Sequence, residues 1–168
     1  DVSKACGDMI ARSYASDLYN LPVVVTRFSN IYGPGQLNFS ALVPDAIRSA
    51  LGHSQFIPRG DGTNFRDFLY IEDVVSLYII IGKELADNPS QYSGEVFNAG
   101  TNSPTTVESI LNSVFRIIGN ESDLINIKKQ MKLSCTKGEI DYQYMDYAKV
   151  YKHFKWKPSI ALNEGLQN

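Results

Sequence analysis

The sequence predicts an α/β fold in which parallel strands are covered by helices. Three observations carry this. The stretch from Asp1 to about Tyr19 has a helical apolar period and runs straight into the β-branched run Val23-Val24-Val25, of the kind found in strands buried on both faces of a parallel sheet. Strand-like and helix-like stretches then alternate along the chain, as they do where helices connect parallel strands. Residues 105–119 carry a clear amphipathic stripe between a capping signal and a glycine.

In the first helix the periodic positions are Cys6, Met9, Ile10, Tyr14 and Leu18, with Asn20 as its stop and Leu21-Pro22 opening the next element. Gly33-Pro34-Gly35 marks a loop. A helix is expected from Ser40 to Leu51, with Pro44 tolerated in its first turn and Gly52 just past its end. Phe56-Ile57 reads as a short strand, Gly60-Asp61-Gly62 as a turn, and Asp67 to Ile71 as extended. Asp73 is placed to cap a helix through Val74, Leu77, Tyr78 and Ile81. Residues 87–94 read as a polar surface loop and residues 95–98 as a strand. Thr105 and Glu108 have capping-box spacing ahead of Val107, Ile110, Leu111, Val114, Ile117 and Ile118, and Gly119 ends that helix. Ile125 to Leu133 alternates weakly and is read as a strand; Asp146 is placed to cap a last helix through Val150 and Phe154, before Trp156-Lys157-Pro158.

Composition narrows the function classes. The 168 residues suffice for a sizeable core, and 43% hydrophobic with 20% charged residues is an ordinary globular balance. A formal net charge of -2 gives no electrostatic case for nucleic acid. The longest apolar stretches, such as residues 76–82, are too short to span a bilayer, and no signal peptide is visible. Cys6 and Cys135 lack metal-ligand spacing and read as free thiols of a reducing cytosol. His53 and His153 sit in polar stretches without partners at ligand spacing, so no metal site is expected.

Four clusters can carry chemistry. Asn30-Ile31-Tyr32-Gly33-Pro34-Gly35 follows the buried strand, where ligands of open α/β sheets bind; taken alone it is also a good turn. Arg59 and Arg66 flank the Gly60-Asp61-Gly62 turn, and two guanidinium groups on one cleft can grip a diphosphate. Each can equally pair with a nearby carboxylate, Arg66 with Asp67 or Asp73. Leu37-Asn38-Phe39-Ser40 with Leu42, Val43 and Arg48 can hold a nucleobase, or be plain core. The stretch Glu139-Ile140-Asp141-Tyr142-Gln143-Tyr144 can line the same cleft.

Read in order, these stretches resemble the extended short-chain dehydrogenase/reductases that act on nucleotide sugars. The matches are Ser3-Lys4 before a long helix, Leu21-Pro22-Val23-Val24-Val25-Thr26-Arg27-Phe28-Ser29-Asn30-Ile31-Tyr32-Gly33-Pro34-Gly35, Gly62-Thr63-Asn64-Phe65-Arg66-Asp67-Phe68-Leu69-Tyr70-Ile71-Glu72-Asp73-Val74, Phe97-Asn98-Ala99-Gly100 and Trp156-Lys157-Pro158. Gln36-Leu37-Asn38-Phe39-Ser40 with Val43-Pro44, and Glu139-Ile140-Asp141-Tyr142-Gln143-Tyr144-Met145-Asp146, are most similar to CDP-glucose 4,6-dehydratases within that group.

The resemblance implies the C-terminal part of an NAD(P)-binding Rossmann-like fold: the last parallel strands and helices plus a small α/β substrate-binding domain. Residues 1–35 would end the Rossmann-like domain. Residues 36–168 would be mostly substrate-binding, returning to the Rossmann sheet near residues 70–100. Lys4 fits the last position of the family's Tyr-x-x-x-Lys motif, whose Tyr would lie one residue before Asp1; no glycine-rich dinucleotide fingerprint occurs in the chain. The implied cofactor is NAD, or NADP, with Lys4 at its ribose and Phe28 and Ser29 near the nicotinamide. The implied partner is a nucleotide-diphosphate sugar. Asn30 would contact its diphosphate, Asn38, Leu42, Val43 and Arg48 its nucleotide, and Arg59 and Arg66 its phosphates or ribose, with Gln143 and Tyr144 closing the pocket. Asp67 and Asp73 are read as structural, a partner for an arginine and a helix cap. A homodimer is implied for the whole protein, and no turnover for the chain alone. A nucleotide-sugar 4-epimerase and a non-catalytic nucleotide-sugar-binding paralogue are the alternatives.

Overall fold

The computed structural model describes residues 2–134 and 138–168; Cys135 lies outside the described residues, and Cys6 is a free, exposed thiol. The architecture is α/β, with parallel pairing as expected. Helix α1 (Val2–Tyr14) leads to strand β1 (Val25–Phe28), which pairs in parallel with β5 (Val96–Ala99). Strand β2 (Asn30–Tyr32) pairs in parallel with β4 (Phe68–Tyr70). A third small sheet orders β6 (Thr105–Thr106), β3 (Phe65–Arg66) and β7 (Tyr142–Gln143), with β3 antiparallel to β6 and parallel to β7.

Strand β4 lies between two hydrophobic cores. Successive strand side chains point to opposite faces. Phe68 and Tyr70 therefore enter one core with α2 (Leu42–Ala50), α5 (Val107–Ile118) and α6 (Glu121–Met131). Leu69 enters the other, with Val74, Leu77 and Ile81 of α3 (Ile71–Asp87), Phe97, Val150 of α7 (Ala148–Phe154) and Trp156. The strand covered on both faces is thus β4, not the expected run Val23-Val24-Val25. Val23 and Val24 precede β1, in which no residue is fully buried and Arg27 is exposed.

Several expectations need correcting. The first helix ends at Tyr14, five residues early, in turns that lead to Asn20 at a positive φ of 49°. Phe56-Ile57 forms no strand; Phe56 is buried in loop backbone and its amide donates to Ser49 Oγ at 3.1 Å. Residues 125–131 belong to helix α6 and 132–133 to the turn after it, because Leu124, Ile127 and Met131 recur at helical spacing and all three are buried. Residues 87–94 hold a one-turn helix, α4 (Pro89–Tyr92), with Tyr92 buried against Phe97 and Phe154. The cap of α5 is Thr106, whose hydroxyl accepts from the Ser109 amide at 3.1 Å; Thr105 is taken by β6, and Glu108 pairs with Lys128. Ile117 is largely exposed, and Phe115 takes its place in the core. Gly119 ends α5 in the left-handed region at φ 82°, a conformation glycine adopts without a Cβ penalty.

Asp73 is not a cap. It lies inside the first turn of α3, and its carboxylate accepts from the Ser159 amide and hydroxyl and the Ile160 amide. Tyr147 takes the cap position of α7, while Asp146 Oδ1 accepts from the Ala148 amide at 2.7 Å. A further helix, α8 (Leu162–Gln167), follows the Trp156-Lys157-Pro158 stretch. The Tyr32 hydroxyl donates to the Leu162 carbonyl at 3.2 Å, and Gly165 packs so closely on the Tyr32 and Tyr70 rings that a Cβ there would overlap both. No helix among the described residues is long and apolar enough to cross a membrane.

Candidate functional site

A cavity of about 400 Å³ opens beyond β2. Its base is Asn30, Ile31, Tyr32 and Phe68 of the β2–β4 pair. One wall is the start of α2, with Ala41, Leu42, Val43 and Asp45, joined by residues 56–59, which the Phe56–Ser49 hydrogen bond holds against α2. The opposite wall carries Asn64, Arg66 and Glu139, and Val107 and Met131 approach from α5 and α6.

The polar groups here differ in how committed they are. The Asn30 amide and its Nδ2 both donate to the Asp67 carbonyl at 3.0 Å, leaving one side-chain N–H free to donate further. Arg66 is heavily engaged. Its Nη1 donates to the Phe65 and Ile140 carbonyls at 2.8 and 2.7 Å, and its Nη2 meets Glu139 at 3.3 Å. Arg59 has only a long hydrogen bond, 3.4 Å to the Ser40 carbonyl. Asn38 Oδ1 accepts from the Ser40 amide at 3.2 Å and shapes the turn into α2. Burial pushes the Tyr32 phenol well above its ordinary pKa, with Tyr70 and Asp73 adding to the effect, so the hydroxyl stays a neutral donor. On the rim, the Thr63 hydroxyl and then its amide hold the exposed Asp61 carboxyl below its usual range.

Arg66 does not pair with Asp67 or Asp73. The Asp67 carboxylate is buried and accepts from the Thr101 amide and hydroxyl and from the Met145 amide, fixing the start of the loop after β5 and the segment before α7. Asn30, Asn38, Leu42, Val43, Arg59 and Arg66 line one cavity. Arg48 lies elsewhere: its guanidinium sits 4.4 Å over the Phe39 ring and lines a neighbouring cavity of about 250 Å³. Gln143 and Tyr144 are exposed on and beyond β7, with Tyr144 edge-on to Tyr142 at 5.6 Å; neither lines the main cavity.

Lys4, Phe28 and Ser29 form a separate group on the first helix and strand. Lys4 is exposed on α1, and Asp8 Oδ1 meets Arg27 Nε at 2.8 Å to join α1 to β1; the same bond holds the Asp8 carboxyl below its usual range. The Phe28 ring packs edge-on to Tyr78 at 5.3 Å. Ser29 Oγ, at the carboxyl end of β1, is buried without a hydrogen-bond partner among the described residues. Buried polar groups normally have partners, so this hydroxyl suits a polar group of a cofactor laid across the strand end. Among the cavity's residues, Asp45, Asn64 and Met131 were not singled out from the sequence. Glu139 was singled out only as part of a polar-aromatic stretch.

The NAD dependent epimerase/dehydratase family matches residues 1–100. Among curated proteins, the chain is 27% identical over 165 residues to dTDP-D-glucose 4,6-dehydratase of Homo sapiens, covering 98% of this chain and 45% of that relative. It is 24% identical over 168 residues to UDP-N-acetyl-alpha-D-glucosaminuronate decarboxylase of Bacillus cytotoxicus, covering 99% and 50%. Among solved structures, dTDP-glucose 4,6-dehydratase of Bacillus anthracis in complex with NAD superposes with a TM-score of 0.77 at 32% identity, covering 99% of this chain and 49% of that one. UDP-glucose 4-epimerase of Thermotoga maritima with UDP-glucose superposes with a TM-score of 0.80 at 29% identity, covering 99% and 50%. The chain spans about half the length of these four relatives.

Proposed function

The chain belongs to the NAD dependent epimerase/dehydratase family, and from that premise we propose that it is the substrate-binding half of an NAD-dependent nucleotide-sugar 4,6-dehydratase acting on CDP-glucose. The observation that carries this is the cavity beyond β2 that gathers Asn30, Arg59 and Arg66 with the apolar side chains of Leu42, Val43 and Phe56. Guanidinium groups and a free amide N–H suit a diphosphate, and the apolar wall suits the face of a base. The likeness to dTDP-glucose 4,6-dehydratases supports the reaction class. The preference for CDP rests on the Gln36–Ser40 and Glu139–Asp146 stretches of the sequence.

Residues 1–35 serve the cofactor side in this reading and residues 36–168 mostly the substrate side. Lys4, Phe28 and Ser29 are the groups that would meet NAD. Held by these residues, NAD would supply a reversible hydride acceptor: the hydride given up at C4 of the sugar would return at C6 after water is lost across C5–C6, so the cycle would be redox-neutral with one water released. Lys4 brings a positive charge that favours ionisation of a neighbouring acid–base group. Asn30, Arg59 and Arg66 hold the diphosphate and so fix the sugar relative to Ser29. The exposed apolar side chains Met9, Ile10 and Tyr14 of α1 support a homodimer of the whole protein, and the free Cys6 thiol supports a reducing, cytoplasmic setting.

The test is to incubate the full-length gene product with NAD and, separately, CDP-glucose, dTDP-glucose and UDP-glucose. A 4-keto sugar, detected by the ultraviolet absorbance it develops in alkali, is expected from CDP-glucose. The same product from dTDP- or UDP-glucose alone removes the CDP assignment and keeps the dehydratase. A 4-epimer without keto product moves the assignment to an epimerase, the second reading that the likeness to UDP-glucose 4-epimerase supports.

A further inference from the structure

The cavity carries two guanidinium groups, Arg59 and Arg66, and two carboxylates, Asp45 and Glu139. Glu139 is accounted for by its contact with Arg66. Asp45 is not. It is half-buried in the first turn of α2, it lines the cavity, and it has neither an ion pair nor a side-chain hydrogen bond among the described residues. A carboxylate in a helix's first turn is favoured by the helix dipole, which explains why the charge is tolerated there but not what a ligand in the cavity would make of it.

We infer that Asp45 reads the nucleobase, selecting one that offers an exocyclic amine (cytosine) over one that offers a keto oxygen at the same position (uracil or thymine). This rests on the nucleotide-sugar reading above and names the residue behind its base preference. A carboxylate at Asp45 repels phosphate, so a nucleoside diphosphate places its phosphates toward Arg59 and Arg66 and its base toward Leu42, Val43 and Phe56. These three offer an apolar surface for the ring, and Asp45 is the carboxylate beside them on α2. A carboxylate only accepts hydrogen bonds. The cytosine amine donates to it, as in carboxylate recognition of cytosine in nucleic acids. A keto oxygen in its place sets acceptor against acceptor and strands both groups without a donor. The dTDP- and UDP-sugar relatives therefore do not predict this chain's base preference.

The test is calorimetric titration of the protein and of Asp45→Asn with CDP, UDP and dTDP, with inorganic pyrophosphate as a control for the arginine end. The wild type is expected to bind CDP at least about tenfold more tightly than UDP or dTDP. An amide can donate as well as accept, so in Asp45→Asn the three affinities should come within about threefold of one another. Loss of a negative charge tightens all anions together, pyrophosphate included, which is why the ratio is the readout. Asp45→Ser, with a thermal melt of each variant, guards against a folding artefact and should also flatten the ratio. An unchanged CDP preference in both variants overturns the role of Asp45 and leaves the CDP reading standing. Tighter binding of UDP or dTDP by the wild type overturns the role and the CDP assignment together. Absence of binding by all three nucleotides overturns the nucleotide-sugar reading itself.

Discussion

Helix α1 and strand β4 both carry prominent apolar side chains, but Met9 and Ile10 of α1 are 70% and 57% exposed whereas Leu69 of β4 is fully buried. The strand is covered on both faces by cores built from this chain, and it positions Phe68 at the base of the cavity. The helix has no buried residue, and its tie to β1 runs through the Asp8–Arg27 pair. The same residue types thus do different work. Around β4 they generate the stability that holds the candidate site. On α1 they form a stripe that packing among the described residues does not explain.

That contrast can be broken by mutation. Leu69→Ala removes a side chain packed from every side and should cost roughly 2–5 kcal/mol, whereas Ile10→Ala should cost about 0.5 kcal/mol or less. Urea denaturation of the two variants decides it; equal losses would mean that α1 is as integral as β4. A smaller effect is expected at Asp67, whose buried carboxylate anchors Thr101 and Met145. Asp67→Ala strands those donors and should cost about 1–3 kcal/mol. Asp61→Asn, on the exposed turn, should leave the melting temperature unchanged, so the pair measures what burial adds to a carboxylate.

A small effect is also expected at Glu95, which leads into β5 and meets Lys149 Nζ at 2.5 Å. That contact holds the Glu95 carboxyl below its ordinary value of 4.5. Its contribution to stability is therefore present above that value and lost as the pH falls through the lowered one. Both side chains are about two-fifths exposed, so solvent screening limits the contribution to about 0.5 kcal/mol or less. Melting curves of Glu95→Gln and wild type should differ slightly at neutral pH and converge in acid. A gap that widens on acidification contradicts the sign.

The division between the two regions also governs what could be read from sequence. Helix α5 was legible because its stripe, its cap region and Gly119 agree. Helix α6 was misread because a window opened at Ile125 omits Leu124, the residue that turns Ile127 and Met131 into a helical series. Strands β3, β6 and β7 are two residues long, too short for any period to register, and the α5 cap, Thr106, is itself the last residue of β6. For the site, Asn30, Arg59 and Arg66 could be found because strand-end amides and turn-flanking arginines have recognisable chemistry. Asp45 could not, because an acid in a helix's first turn has a sufficient local explanation. Arg48 was expected at the same cavity because it lies on the same helix; stacking on Phe39 takes it to the other side.

The Tyr32 hydroxyl bonded to Leu162, with Gly165 packed on the Tyr32 and Tyr70 rings, has a consequence for how the molecule comes into being. Tyr32 lines the cavity, but the groups that hold it arrive about 130 residues later in the chain. On a ribosome, Asn30, Arg59 and Arg66 emerge long before the segment that steadies the floor between them. The candidate site is thus assembled from residues 30–139 and steadied by residues 162–165. A nascent chain stalled before residue 162 would hold every cavity-lining side chain and still lack the finished cavity.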